Sequence, residues 1–268
     1  MEKNKENKIA DEKLLSAVTQ GNVSGLFRAL EDGANIDCRV NSGQTPLIAA
    51  AESKNAEIAS ILLKNGADPN FSDVIYQTPL MRAVQGGAVD VAKLLINSGA
   101  SVDKKDAEGY TVLLQLCAEP LEQKSEAIRT RFELAQILID GGADVNTYDA
   151  GRRTPLMRAA SSGNVKLVKL LLNKGADIHA RDGHNRNALI WAAENEMITA
   201  VKLLSEKGAD LGEILNPQGR HDFYFSEYMK KFVRELRDAP RRAKLESESL
   251  RKHNVDEIID SLEDDLRK

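Results

Sequence analysis

Cysteine and aromatic residues are scarce in this chain of 268 residues, which contains two cysteines and 4% aromatic residues. Cys38 and Cys117 are too few and too far apart for a disulfide framework, so we expect free thiols and a cytoplasmic location. The low aromatic content indicates a core built from aliphatic side chains.

Long apolar runs and a strong net charge are also missing. No segment reaches the roughly 20 apolar residues of a membrane-crossing helix, so no membrane association is predicted. The start, residues 1–13, is charged and lacks the apolar region of a secretory signal. The formal net charge of −4 gives no strong overall attraction to nucleic acids or anionic membranes.

Residue patterns typical of catalysis and metal binding are absent. None of the four histidines stands at metal-ligand spacing from another, and neither cysteine has a second cysteine nearby. No glycine-rich phosphate loop precedes a predicted helix. We therefore predict no enzymatic activity, no cofactor and no metal site.

A regular glycine is present instead. Its spacings are 33, 33, 43, 33 and 33 residues, at Gly33, Gly66, Gly99, Gly142, Gly175 and Gly208. A period near 33 indicates one helical unit that is stacked repeatedly, because such a unit cannot bury its apolar face alone. We expect each glycine to end a helix in the left-handed conformation.

A second motif keeps the same step and predicts where helices begin. A Thr or Asn, which can accept from an unpaired backbone N–H, is followed by Pro, Val or Ala and then Leu, at Thr45, Thr78, Thr111, Thr154 and Asn187. Each unit is thus predicted to be a short helix rich in alanine, a second apolar helix and a turn.

These motifs resemble the ankyrin-repeat family over about residues 11–215, as in "QTPLMRAVQGGAVDVAKLLINSGASVD" and "RTPLMRAASSGNVKLVKLLLNKGADIHARD". The resemblance implies an all-α solenoid of stacked helix pairs with hairpin-like loops. The predicted organisation is a disordered segment at 1–10, a cap at 11–40, repeats at 41–73, 74–106, 107–149, 150–182 and 183–215, a capping helix at 216–239 and a charged amphipathic tail at 240–268.

The sequence departs from the family pattern in two ways, and each departure leads to a structural prediction. The usual histidine after Thr-Pro-Leu is replaced by apolar residues, so packing is predicted to replace its hydrogen bond, at Ile48, Met81, Leu114, Met157 and Ile190. The usual hairpin-tip glycine is replaced by Tyr76, Arg152 and Asn185, which predicts altered turns at these tips.

Ten extra residues interrupt repeat 107–149 within 118–131, and either a neutral insertion or a second contact site would account for them. Beyond the repeats, Phe225, Tyr228 and Phe232 are predicted to be buried on the last repeat. The stripe from Val255 to Leu266 is too short for a stable isolated helix. It either docks back, mediates self-association or binds a partner.

Partner-binding residues are expected where the family presents its hairpin tips and first helices. Counting from the caps predicts a concave groove that carries exposed rings and a locally basic surface. The candidate residues are Tyr76, Arg82, Tyr110, Gln115, Arg153, Arg158, Arg186 and Trp191. Such residues are enriched at interface hot spots. Replacing Arg82, Arg158 and Trp191 by alanine is predicted to leave stability nearly unchanged.

The predicted function is a non-enzymatic protein-interaction module, acting as adaptor, scaffold or inhibitor, with an acidic or tyrosine-rich partner. The alternative is nucleic-acid binding through the arginines of the last two repeats, against which the net charge argues. Around Asn146 the sequence also resembles the ankyrin pattern that is hydroxylated on asparagine, although the turn requires the same residues.

Overall fold

The computed structural model describes residues 2–39, 43–118, 125–215 and 225–239. Six helix pairs follow one another in this part of the chain. Their first helices are α1 (Glu2–Thr19), α3 (Pro46–Glu52), α5 (Pro79–Gly86), α7 (Val112–Ala118), α9 (Pro155–Ser161) and α11 (Ala188–Glu194). Their second helices are α2 (Val23–Glu31), α4 (Ala56–Lys64), α6 (Val89–Asn97), α8 (Ser125–Asp140), α10 (Val165–Asn173) and α12 (Ile198–Glu206). A short α13 (Gly212–Leu215) and a helix α14 at 227–239 complete the described residues.

The predicted helix starts are confirmed. Each cap side chain accepts a hydrogen bond from the backbone N–H three residues later, at 3.2 Å for Thr45 and Thr78, 3.4 Å for Thr111 and Thr154, and 3.0 Å for Asn187. All six periodic glycines have a positive φ. The same two devices therefore begin and end the helices of successive repeats.

The hairpin tips correct the expectation of altered turns. Tyr76, Arg152 and Asn185 have φ angles of 61°, 59° and 62°, in the same left-handed region as Gly43 at 75° and Gly109 at 81°. The turn is kept although the side chain is unfavourable there, by about 1–2 kcal/mol for a residue with a Cβ. Backbone bonds from the Tyr76 N–H to the Asp73 carbonyl and from the Asp73 N–H to the Gln77 carbonyl close the tip, so its backbone conformation is set by the hairpin.

The helices form two layers around one continuous core. First helices pack on first helices, α3 on α5, α5 on α7, α7 on α9 and α9 on α11, and the second helices follow in the same order. The residues that replace the family's histidine are all buried, as predicted. Two of them do more than pack, because the sulfurs of Met81 and Met157 accept the cap N–H at 3.4 and 3.5 Å.

The start of the chain differs from the sequence prediction, whereas the interrupted repeat has the lengthened second helix that its sequence favours. The segment 1–10 was predicted to be disordered, but α1 begins at Glu2. Ala10 and Leu14 anchor this helix in the core, and extending an anchored helix is much easier than nucleating one. The interrupted repeat lengthens its second helix, since α8 has 16 residues where the other second helices have nine. The rest of the insert, 119–124, lies outside the described residues.

The C-terminal helix packs on the array through the predicted apolar residues, with one exception. Phe225 and Val233 are buried and Phe232 is half-buried against the core, but Tyr228 is 63% exposed. Met229 is buried instead of Tyr228. The polar phenol remains in water while Met229 and Val233, four residues apart on one face of the helix, contact the core. The predicted tail helix at 240–268 lies outside the described residues.

The two thiols are free and buried. Burial raises the pKa of Cys38 and of Cys117 to about 12. Both side chains therefore act as small apolar core residues and are protonated at neutral pH.

Asparagines join consecutive turns along one edge of the array. The Asn70 amide accepts from the Ser101 N–H at 2.7 Å and donates to the Gly99 carbonyl at 3.0 Å. Asn146 repeats this pair of bonds one unit later, toward Asp177 and Gly175. Both polar atoms of Asn146 thus hold the turn, which is the structural role that the sequence indicates for it.

At the position equivalent to Asn70 and Asn146 in the first unit, the chain has Asp37. A carboxylate can only accept hydrogen bonds. It receives the Asp68 N–H at 3.2 and 3.3 Å. Burial raises its pKa; the Asp68 N–H opposes this rise and the Asp68 charge adds to it. Because the folded pKa is raised, the charged form at neutral pH opposes folding, and stability falls as pH rises through that pKa.

We expect Asp37→Asn to stabilise the protein by about 0.5–1.5 kcal/mol, the net value of one hydrogen bond. The new amide can donate to the Gly66 carbonyl, which is equivalent to the acceptor that Asn70 uses. Chemical denaturation should show a larger gain at pH 7 than near pH 4, where Asp37 is partly protonated. An equal gain in the free energy of unfolding at both pH values would contradict an origin in the charge of Asp37.

Candidate functional site

The same set of hydrogen bonds recurs in successive repeats and fixes the positions of several predicted groove residues. Each of the four repeats from the Thr78 cap onward has an aspartate five residues before its helix cap, and we call these the turn aspartates: Asp73, Asp106, Asp149 and Asp182. Each accepts the backbone N–H four residues later, at 2.8 to 2.9 Å. The side chain nine residues later donates to the other carboxylate oxygen. We call these donors the groove residues: Arg82, Gln115, Arg158 and Trp191.

The groove residues are therefore fixed in orientation. The donor to carboxylate distances are 3.1 Å for Arg82, 2.6 Å for Gln115 and 3.1 Å for Trp191, and Arg158 contacts Asp149 closely. All four are half-buried. A surface whose side chains are already held in place loses less conformational entropy when a partner binds.

The locally basic surface that the sequence predicts is not formed. Arg82 pairs with Asp73 and Glu52, and Arg186 pairs with Asp182 and Glu194. Arg153 and Arg158 share Asp149. Four arginines thus face five carboxylates, so this surface attracts neither an acidic peptide nor a phosphate backbone by excess charge.

Two carboxylates in this network have pKa values that are shifted in opposite directions. Burial acts to raise the pKa of Asp149, but the Arg153 N–H and the Arg158 guanidinium outweigh it and hold that pKa below its usual range. Burial raises the pKa of Glu194 although Arg186 opposes the rise. The Asp149 cluster is therefore a charged structural element at neutral pH, in which the carboxylate contacts both Arg153 and Arg158.

Two of the three predicted rings are covered by arginine. The Arg158 guanidinium lies 4.8 Å from the Tyr110 ring centre and donates to its hydroxyl at 3.0 Å. Arg186 lies 3.8 Å from the Trp191 ring centre. Only Tyr76, which is 61% exposed at its hairpin tip, is open to solvent as the sequence predicts.

The structure adds a cavity that sequence reasoning missed. We call it the groove pocket, an open cavity of about 290 Å³ between three first helices, lined by Ala118, Arg153, Met157, Arg158, Ser161, Ser162 and Trp191. It unites three candidate residues, Arg153, Arg158 and Trp191. Tyr76, Arg82, Tyr110, Gln115 and Arg186 do not line it. No sequence signal marks the cavity, because its walls come from three repeats.

Other surface features also escaped the sequence reasoning. Val74, Ile75 and Tyr76 form three consecutive exposed residues at one hairpin tip, and Tyr148 is 51% exposed. The turn aspartates had a readable signal, since Asp recurs five residues before every cap from Thr78 onward. Their regular spacing was visible, but their connection to side chains nine residues away required the fold.

The described ranges contain neither a cluster of metal-binding side chains nor a membrane-spanning helix. No group of three or more His, Cys, Asp or Glu residues there could hold a metal ion. Among the same residues, no helix has the length and apolar character to cross a membrane.

Comparison with known families agrees with the fold. The model for "Ankyrin repeats (3 copies)" matches residues 14–106 and 125–214. The chain belongs to the ankyrin-repeat family. The gap between the two ankyrin-repeat matches, 107–124, includes the first helix of the interrupted repeat and the segment after it.

Relatives and solved structures support the ankyrin fold at low identity. The mouse ankyrin repeat, SAM and basic leucine zipper domain-containing protein 1 is 27% identical over 158 residues, 59% of this chain and 25% of that protein. The platypus protein of the same name is 31% identical over 158 residues, with the same coverage of each chain. This chain thus spans about a quarter of these relatives. The ankyrin repeat domain of Bcl-3 superposes with a TM-score of 0.69 at 26% identity, over 83% of this chain and 97% of that one.

Proposed function

We propose that this ankyrin-repeat chain is a non-enzymatic interaction module that holds a protein partner across its first helices. The observation that carries the proposal is the repeated anchoring of the groove residues by the turn aspartates. It presents pre-oriented Arg, Gln and Trp side chains from successive repeats along one surface. Arg and Trp are the residues that most often dominate interface energies when they are held in well-packed positions.

An adaptor, scaffold or inhibitor role follows if the bound partner is an enzyme or a signalling protein, because the groove would then control its placement or access. Two buried free thiols support the cytoplasmic location that the sequence predicts. The balanced charge of the groove favours a neutral partner segment over an acidic one. It also weakens the nucleic-acid alternative, which needs cations that are free to replace counterions.

The test compares two triple-alanine variants of the full chain. Gln85 is exposed on α5 and donates to the groove residue Gln115 at 3.2 Å. The groove variant changes Tyr76, Gln85 and Arg153, whose loss leaves every turn aspartate with a side-chain partner. The control variant changes Lys166, Lys169 and Lys202, which are exposed on the second helices α10 and α12. Partners are first captured through a photo-crosslinking residue at position 85, identified, and purified for calorimetry.

We expect the groove variant to bind the purified partner at least about tenfold more weakly, which corresponds to roughly 1.4 kcal/mol. The second-helix variant should bind like the parent chain, and circular dichroism should show that both variants remain folded. Equal weakening by both variants, or by the second-helix variant alone, would contradict groove binding. Salt-sensitive binding to arbitrary duplex DNA or RNA would instead support the nucleic-acid alternative.

A further inference from the structure

The outer face of the last two second helices is basic. Three exposed lysines, which we call the lysine face, lie there: Lys166 and Lys169 on α10 and Lys202 on α12. Lys169 and Lys202 are 33 residues apart, at equivalent positions of two helices that contact each other. Within the described part of the chain, none of the three lysines has an ion-pair partner. Their charges are therefore open to an acidic ligand.

The same surface is acidic in the preceding repeats. The position that Lys166 occupies on α10 is held by a carboxylate on α4, α6 and α8, namely Glu57, Asp90 and Glu133. The charge along the second helices thus changes sign between α8 and α10. An acidic segment would be repelled by the first repeats and attracted to the last two.

The lysine face also leaves apolar surface open. Val165 and Leu170 on α10 and Ile198 on α12 pack against the core but are only half-buried. The methylene stems of the lysines add apolar surface beside them, while the ammonium groups stay in water. This combination fits an amphipathic helix whose apolar stripe is flanked by acids.

The chain itself contains such a segment, at 254–266, which we call the acidic segment. Its apolar residues follow a helical spacing and would share one face of a helix: Val255, Ile258, Ile259, Leu262 and Leu266. It has no basic residue and six acidic ones: Asp256, Glu257, Asp260, Glu263, Asp264 and Asp265. It lies outside the described residues.

The acidic segment is tethered close to the lysine face. Helix α14, which ends at 239, packs on the array through Phe225, Met229 and Val233, and α12 belongs to its last repeat. The connection at 240–253 can span about 46 Å, at about 3.3 Å per residue. A tether of this kind gives an effective concentration in the millimolar range, so weak contacts suffice.

We propose that the acidic segment docks as a helix on the lysine face of its own chain, with its apolar stripe on Leu170 and Ile198 and its acids beside the lysines. The groove does not compete for it, because four arginines there already face five carboxylates. Exposed ion pairs are individually weak, so docking adds little to the stability of the repeats. The docked segment instead covers the lysine face and excludes other acidic ligands from it.

Carbodiimide cross-linking of the full chain tests this contact, because the reagent joins a lysine to a carboxylate only where the two touch. An equimolar mixture of ¹⁴N- and ¹⁵N-labelled chains separates links within one chain from links between two copies by mass spectrometry. We expect links from the lysine face to the acidic segment of the same chain. Their yield should exceed that at the exposed control lysines Lys54, Lys64 and Lys231 by about fivefold, and should fall in roughly 1 M salt, where charges are screened beyond about 3 Å.

A charge swap tests the attraction itself. Changing Lys166, Lys169 and Lys202 to glutamate should abolish the links, although this loss alone would also follow from removing the reactive amines. Adding Asp256→Lys, Glu263→Lys and Asp265→Lys to that variant should restore them, because the exchanged charges attract again. Adding the same three changes to a variant with glutamate at Lys54, Lys64 and Lys231 should restore no links at those control positions.

The inference is overturned if the acidic segment links no more to the lysine face than to the control lysines, or if salt leaves the yield unchanged. It is also overturned if the charge swap restores no links, or if all links join different chains, since the occupant would then be a second copy. The inference concerns the second helices and does not depend on partner binding across the first helices.

Discussion

Replacing Arg158 by alanine is expected to lower the free energy of unfolding by about 3 kcal/mol. Removing one partner of a buried ion pair costs about 3–5 kcal/mol, because the other charge stays buried. The Asp149 side chain is 1% exposed. Because Arg153 still pairs with Asp149 in the variant, we expect a loss at the lower end of this range. This reverses the prediction, made from sequence, that alanine at the groove positions would hardly change stability.

The pH dependence identifies the cause of that loss. The folded pKa of Asp149 is lowered, so its stabilising contribution is present above its unfolded pKa and is lost as pH falls through the folded pKa. Removing Arg158 removes a group that lowers this pKa. The difference between parent and variant should therefore be largest at neutral pH and shrink in acid, where Asp149 is protonated.

Urea unfolding of the parent chain, Arg158→Ala, Asp149→Asn and the double variant measures the coupling between the two side chains. The double variant should lose less stability than the sum of the single losses, by about 0.5–3 kcal/mol. Lys93→Ala is the matched control, because Lys93 and Glu133 form an exposed pair that is worth at most about 1 kcal/mol. A loss at Arg158 no larger than at Lys93 would contradict the structural role.

Replacing Met229 by alanine is expected to cost about 2–5 kcal/mol and to unfold the last repeats first. Met229 is fully buried, and truncating such a side chain removes apolar contact and leaves a cavity. A linear array loses its end repeats first when the end is uncovered. Trp191 fluorescence should therefore report an earlier transition than far-UV circular dichroism of the whole chain.

Tyr228→Ala is the control on the same helix. Because Tyr228 is 63% exposed, its replacement should change stability by at most about 0.5 kcal/mol. A chain that ends at residue 215 should behave like the Met229 variant in more severe form, and one that ends at 239 should retain the parent stability of the repeats. Equal melting of the Met229 and Tyr228 variants would contradict the cap role of α14.

The parts of the fold that sequence predicted correctly are those whose cause is local. Thr78 begins a helix because its oxygen is three residues from the N–H that it accepts, and Gly99 follows a helix because a left-handed residue is needed there. The N-cap hydrogen bond and the left-handed glycine each involve only a few neighbouring residues, and both recur in each repeat. The repeat period, the helix pairs and the apolar replacement of the family's histidine followed from such patterns.

The candidate site was predicted less completely, because its properties depend on pairs of distant residues. The sequence located Arg158 and Trp191 correctly as equivalent positions, but their charge and exposure depend on Asp149, Asp182 and Arg186. A count of arginines predicts a basic groove, whereas the folded chain pairs each of them with a carboxylate. The C-terminal helix shows the same limit, since aromatic content favoured Tyr228 where packing buried Met229.

The repeat architecture and the family can be predicted from the sequence, because a helical unit that recurs every 33 residues can bury its apolar side only against its neighbours. The electrostatics of the groove and the groove pocket arise instead from contacts between residues that are distant in the sequence. Each turn aspartate meets a side chain nine residues later, and the pocket forms where Ala118, Met157 and Trp191 of three repeats approach one another. Charge pairing and cavity shape depend on distances in space, which a one-dimensional pattern does not contain.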